Sequence, residues 1–232
     1  VSNASCGTPY DVDGSIYFAF KESYTTPDVL WVSDGTANGT VAVYDEFNGG
    51  IARHGMVSVD GKCFFMADDG VHGCEPWVSD GTTAGTYMIA DLYPGAIGGV
   101  WKADDKTKPL SLGDEVLFVA QDSTHGSELW QSDGTAAGTH MGADINSGSL
   151  SSSPSDITLA GDYIYFTAYG TDSTTRDLWA INRTEAEEGE SEGEVAPEGE
   201  VTPEGEVTPE GEAAPEGEVA PEGEVTPEGE AA

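Results

Sequence analysis

Ser127 to Thr139 reads S-E-L-W-Q-S-D-G-T-A-A-G-T, and the pattern recurs along the chain. Asp28 to Thr40 is D-V-L-W-V-S-D-G-T-A-N-G-T, and Cys74 to Thr86 is C-E-P-W-V-S-D-G-T-T-A-G-T. A degenerate copy, R-D-L-W-A-I-N-R, spans Arg176 to Arg183. Each copy opens on a short apolar run around Trp31, Trp77, Trp130 or Trp179. In the three full copies a turn signal follows: Asp34-Gly35, Asp80-Gly81 and Asp133-Gly134. Gly adopts positive φ without steric cost, and Asp hydrogen-bonds the backbone two residues on. A second short run then follows a Gly-Thr pair, so the unit reads as a hairpin whose turn fixes its register. The Asp residues are read as turn chemistry. Calcium ligation is the alternative, but one carboxylate per loop falls short of the about six to eight oxygens that calcium takes.

Upstream of each tryptophan lies a denser run: S-I-Y-F-A-F from Ser15, K-C-F-F-M-A from Lys62, E-V-L-F-V-A from Glu115 and Y-I-Y-F-T-A from Tyr163. These runs hardly alternate, which argues that both faces are buried. A weaker strand and a tight turn precede each one. The four repeat tryptophans, Trp31, Trp77, Trp130 and Trp179, lie 46, 53 and 49 residues apart. Four antiparallel strands recurring every 40–50 residues or so is the period of a propeller blade. The predicted fold is therefore all-β and β-propeller-like. Its blades fall at about 8–45, 55–91, 108–144 and 155–184, three full and a fourth partial. Pro76 replaces the usual leucine and suits an edge position, because proline cannot donate to a ladder.

The chain carries 43 acidic and 8 basic side chains, a balance of −35. Residues 185–232 hold 18 glutamates and neither Lys nor Arg. Both parts are acidic, so nucleic acid is not an expected partner. No run is long and apolar enough for a transmembrane helix. From Glu185 the sequence repeats E-G-E-V-A-P with small variation, which predicts a disordered acidic Pro/Glu/Gly spacer. The three cysteines, Cys6, Cys63 and Cys74, leave at least one unpaired. If Ala67 faces Cys74 across its loop, Cys63 lies about four residues out of register for a bridge.

The repeats resemble the bacterial E-L-W-x-x-D-G-T repeat family, through Glu128-Leu129-Trp130, Asp133-Gly134-Thr135 and Gly138-Thr139. The segments Phe65 to Gly73 and Phe118 to Gly126 share the likeness, as does Ala143 to Leu159. The resemblance implies a propeller-like array in exported or cell-surface bacterial proteins, and it brings no catalytic residue. The glutamate-rich tail is similar to spacers of bacterial surface proteins.

Residues recurring in every blade read as scaffold, so binding is sought in what does not recur. The candidates are Trp101 and Lys102 in the insertion at 94–109, Arg53 in the Arg53-His54 segment, and Tyr24 in the first hairpin loop. Trp101 could stack on a sugar ring. His72 and His125 occupy equivalent repeat positions, which favours loop packing over paired metal ligation. No catalytic or metal site and no cofactor is expected. The expected function is a non-enzymatic extracellular or cell-surface domain for adhesion or ligand recognition, with a carbohydrate or protein ligand. The alternatives are a polysaccharide-active propeller enzyme and a purely structural, calcium-stabilised module.

Overall fold

The computed structural model describes residues 4–52, 55–95, 98–99, 106–171 and 174–183, all within the compact unit Val1–Pro197. The spacer predicted over 185–232 lies outside these residues. The regular elements are strands, arranged as four antiparallel sheets.

Blade 1 comprises β1 (Ser5–Cys6), β2 (Tyr10–Val12), β3 (Ser15–Lys21), β4 (Asp28–Ser33) and β5 (Val41–Phe47). Blade 2 comprises β6 (Gly50–Ile51), β7 (Val57–Val59), β8 (Lys62–Asp68), β9 (Cys74–Ser79) and β10 (Thr86–Met88). Blade 3 holds β11 (Leu110–Ser111), β12 (Val116–Ala120), β13 (Glu128–Ser132) and β14 (His140–Ala143). Blade 4 holds β15 (Ser155–Ala160), β16 (Tyr163–Tyr169) and β17 (Arg176–Asn182). Every blade runs from the weak strand to the apolar strand to the tryptophan strand. A further strand follows in blades 1 to 3.

Two-residue turns set the first hairpins. Val12 pairs with Ser15 around Asp13-Gly14, and Val59 pairs with Lys62 around Asp60-Gly61. All four turn residues have positive φ, the geometry that matches the twist of the flanking strands. Two short strands, β1 and β6, escape the sequence pattern. They pair with β3 and β8 on the same edge as β2 and β7, so the first strand of each of these blades is interrupted.

The weak strands lie side by side from blade to blade: β2 beside β7, β7 beside β11, and β11 beside β15. Between blades 2 and 3 they are joined by a parallel bridge, Val59 to Gly113, and by the Asp60 N–H donating to the Gly113 carbonyl at 2.9 Å.

The core lies between blades. Cys63, Phe65 and Ala67 on one face of β8 join Tyr17, Leu30 and Phe47 of blade 1. Phe64 and Met66 on the other face join Val116, Phe118 and Trp130 of blade 3. Leu117 and Leu129 of blade 3 join Ile164, Phe166 and Trp179 of blade 4. An apolar strand without alternation is thus explained by a neighbour on each side. At roughly 1.5–3 kcal/mol for each large side chain taken from water, these joints dominate stability.

Two expectations are corrected by register. Asp68, not Ala67, faces Cys74. Cys63 lies in the first core cluster and Cys74 in the second, on opposite faces of the hairpin, so no bridge joins them. Pro76 is not on an edge strand, since β9 runs between β8 and β10. However, β10 ends at Met88 opposite Trp77, and the Ile89 N–H donates to the Pro76 carbonyl at 2.9 Å. The proline nitrogen points to that same side, where the ladder has stopped, so no strand hydrogen bond is lost.

Candidate functional site

The Ser-Asp-Gly-Thr loops close on themselves in the same way three times. Asp34 Oδ1 accepts the Thr36 backbone N–H and hydroxyl, both at 2.8 Å. Asp80 accepts the same pair from Thr82 at 2.9 and 2.7 Å, and Asp133 from Thr135 at 2.8 and 2.7 Å. The threonine oxygen in turn accepts the N–H of Gly39, Gly85 or Gly138. Gly35, Gly81 and Gly134 hold positive φ. At Gly39, Gly85 and Gly138 a Cβ would lie within about 2.2 Å of the loop's own aspartate carboxylate, so only glycine fits. Hydrogen bonds from Thr36, Thr82 and Thr135 hold the three carboxyls below the usual aspartate range.

The loop before the tryptophan strand is closed by an Asp–His pair in blades 2 and 3. His72 Nδ1 lies 2.7 Å from Asp69 Oδ2, and His125 Nδ1 lies 2.9 Å from Asp122 Oδ2. The same aspartates accept the His72 and His125 backbone N–H groups. Burial pushes the Asp122 carboxyl up, but hydrogen bonds from His125 and Thr124 outweigh it and hold the group at about 2. Both histidines are raised by their aspartate partners.

A third device, a carboxylate clamp, was not recognised in the sequence. Glu75 and Glu128 are fully buried and Asp28 nearly so. Each reaches into the chain that leads to the next blade. Asp28 Oδ2 accepts the Ile51 N–H at 2.9 Å. Glu75 accepts the N–H groups of Leu92, Tyr93 and Gly99 at 3.0, 3.2 and 2.5 Å. Glu128 accepts the N–H groups of Ile145 and Ser152 at 3.0 and 2.8 Å, and the Ser152 hydroxyl at 2.5 Å. Burial pushes the Glu75 carboxyl up to about 7 and raises that of Glu128. In blade 4 the equivalent acid, Asp177, is exposed. The recurring acid before the tryptophan was the available signal. Its partners lie 17 to 24 residues downstream and are met chiefly through backbone N–H groups, which carry no residue signature.

Of the four residues proposed for binding, Tyr24 stands 77% exposed on the loop between β3 and β4. Trp101, Lys102 and Arg53 lie outside the described residues. Among the described residues, no group of three or more His, Cys, Asp or Glu side chains is placed to hold a metal ion. Among them, no helix is long and apolar enough to cross a membrane.

These features define an all-β repeat domain of propeller-like blades. No family model matches the chain, and no curated protein matches it. Among solved structures, a puromycin hydrolase aligns with 78% of this chain and 28% of its own, at 13% identity and TM-score 0.52. A mutant of that enzyme complexed with PGG aligns over the same shares at 14% identity and TM-score 0.51. An α-L-arabinofuranosidase from Clostridium thermocellum overlaps at TM-score 0.28, too low to bear on the fold. The chain thus spans about 28% of the length of the puromycin hydrolase structures. At these identities the likeness is one of fold, and it is β-propeller-like.

Proposed function

We propose that this chain is a non-enzymatic recognition domain of an extracellular or cell-surface protein, in which a propeller-like array displays ligand-binding loops and residues 185–232 act as an acidic spacer. One observation carries the reading. The recurring carboxylates and histidines that could serve chemistry are engaged within the scaffold, either inside their own loop or against the following crossover. Among the described residues Tyr24 stands 77% exposed, an aromatic of the kind that stacks on a sugar ring or a partner's side chain.

The test is a glycan and polysaccharide screen on the whole chain, with mass spectrometry of every hit. Binding without product, weakened by Tyr24→Ala, is the expected result. Product formation would replace the reading with the polysaccharide-active enzyme. Silence across the glycans and against candidate protein partners would leave the purely structural module.

A further inference from the structure

Asparagine followed by glycine occurs twice in the chain, at Asn38-Gly39 and Asn48-Gly49. Asparagine is chemically labile because the next backbone nitrogen can attack its side-chain amide, and glycine, having no Cβ, hinders that attack least. The fold treats the two pairs differently.

Asn48 is held in place. Its Nδ2 donates to the Glu46 and Asp69 carbonyls at 3.3 and 3.2 Å, and the Gly49 N–H donates to the Asp68 carbonyl at 2.9 Å. A carbonyl has no proton to pass on. Asn38 is exposed on the loop between β4 and β5, and among the described residues its side chain has no hydrogen-bond partner. Beside it the Gly39 N–H donates to Thr36 Oγ1 at 3.0 Å, and the Thr36 hydroxyl donates to Asp34 Oδ1 at 2.8 Å. The attacking nitrogen thus heads a chain of two hydrogen bonds that ends on a carboxylate. The loop also dictates the glycine, since a Cβ at Gly39 would overlap that carboxylate. The equivalent loops of blades 2 and 3 share the hydrogen-bond chain but carry Ala84 and Ala137 where blade 1 has Asn38.

We propose that Asn38 is a self-modification site, which the folded chain converts to aspartate and isoaspartate through a succinimide while Asn48 stays intact. The Gly39 nitrogen bonds to Asn38 Cγ as its proton passes to Thr36 and the Thr36 proton passes to Asp34. The Cγ–Nδ2 bond breaks, and the nitrogen leaves as ammonia with the proton that Asp34 received. Water then opens the ring at either carbonyl. Both products add a negative charge, and isoaspartate lengthens the backbone of the turn by one carbon. Of the three full loops, only that of blade 1 carries the site.

Mass spectrometry on the full chain, aged in neutral buffer, tests this. The expected result is a gain of about one dalton that maps to position 38, with isoaspartate among the products. Asn38→Ala, the residue type of the other two loops, should abolish the gain and leave the circular dichroism spectrum unchanged. Thr36→Val should slow the gain, because the proton route is broken. In urea, where the fold no longer distinguishes them, Asn38 and Asn48 should both convert. No gain in the folded chain, or conversion of Asn48 as fast as that of Asn38, would overturn the proposal. Conversion of Thr36→Val at or above the wild-type rate would overturn the proton route.

Discussion

Glu128 on β13 accepts the backbone N–H of Ser152, 24 residues further along, at 2.8 Å. Asp28 holds Ile51 and Glu75 holds Gly99 across 23 and 24 residues in the same manner. Glu75 and Glu128 thereby satisfy backbone donors of crossovers that lie outside the sheets, and Asp28 does the same for β6, the edge strand of the next blade. The joint between two blades is therefore polar at the crossover as well as apolar in the core.

Removing one clamp leaves buried donors without a partner. Glu128→Ala is expected to cost about 2–4 kcal/mol, because the Ile145 and Ser152 N–H groups and the Ser152 hydroxyl lose their acceptor. Asp177→Ala, at the exposed equivalent in blade 4, should stay within about 0.5 kcal/mol of wild type. Urea unfolding of the two variants makes the comparison.

Gly138→Ala places a methyl group about 2.2 Å from the Asp133 carboxylate. The expected loss is about 1–3 kcal/mol. Adding Asp133→Ala removes the obstructing group, so the double variant should lose less than the sum of the singles. A double-mutant cycle reads that coupling.

Stability should depend on pH in two opposing windows. Glu75 is raised from its usual 4.5 to about 7 by burial, so the folded state retains a proton that the unfolded chain has released. Stability from this group is full below about 4.5 and is lost as pH rises to about 7. Glu128 shifts the same way. The raised His72 and His125 lose their contribution as pH climbs above the ordinary histidine value. The loop aspartates, held low, contribute above the ordinary aspartate value and lose it as pH falls further. Melting temperature is therefore expected to peak in mildly acidic buffer and to decline toward pH 8. Glu75→Gln should flatten the decline between 4.5 and 7.

Equivalent leucines should differ by their joints. Leu129→Ala opens a cavity between blades 3 and 4 and is expected to cost about 2–5 kcal/mol. Leu178→Ala removes an exposed side chain and should change monomer stability by less than about 0.5 kcal/mol. Thermal unfolding at low protein concentration separates the two.

The sequence disclosed the blades because their signals are local. The apolar run ending near Phe118, the tryptophan strand around Trp130 and the Asp133-Gly134 turn all lie within about twenty residues. Their order along the chain matches their order in the sheet. The clamps were not legible, because Glu128 acts on backbone N–H groups that carry no residue signature and lie far downstream. The strand β6 is two residues long, and nothing in Gly50-Ile51 marks it as paired with β8. Pro76 was read from its missing donor alone, while its tolerance depends on where β10 stops. Tyr24 does not recur between blades, and the structure places it exposed on the loop between β3 and β4.

Hydrogen exchange followed by mass spectrometry, on wild type and Glu128→Ala, tests most directly whether a buried acid ties each blade to the next. The expected result is a loss of protection concentrated in peptides covering 144–155 and spreading into β15 to β17, with β2 to β4 of blade 1 little changed. Unchanged protection over 144–155 would contradict the account.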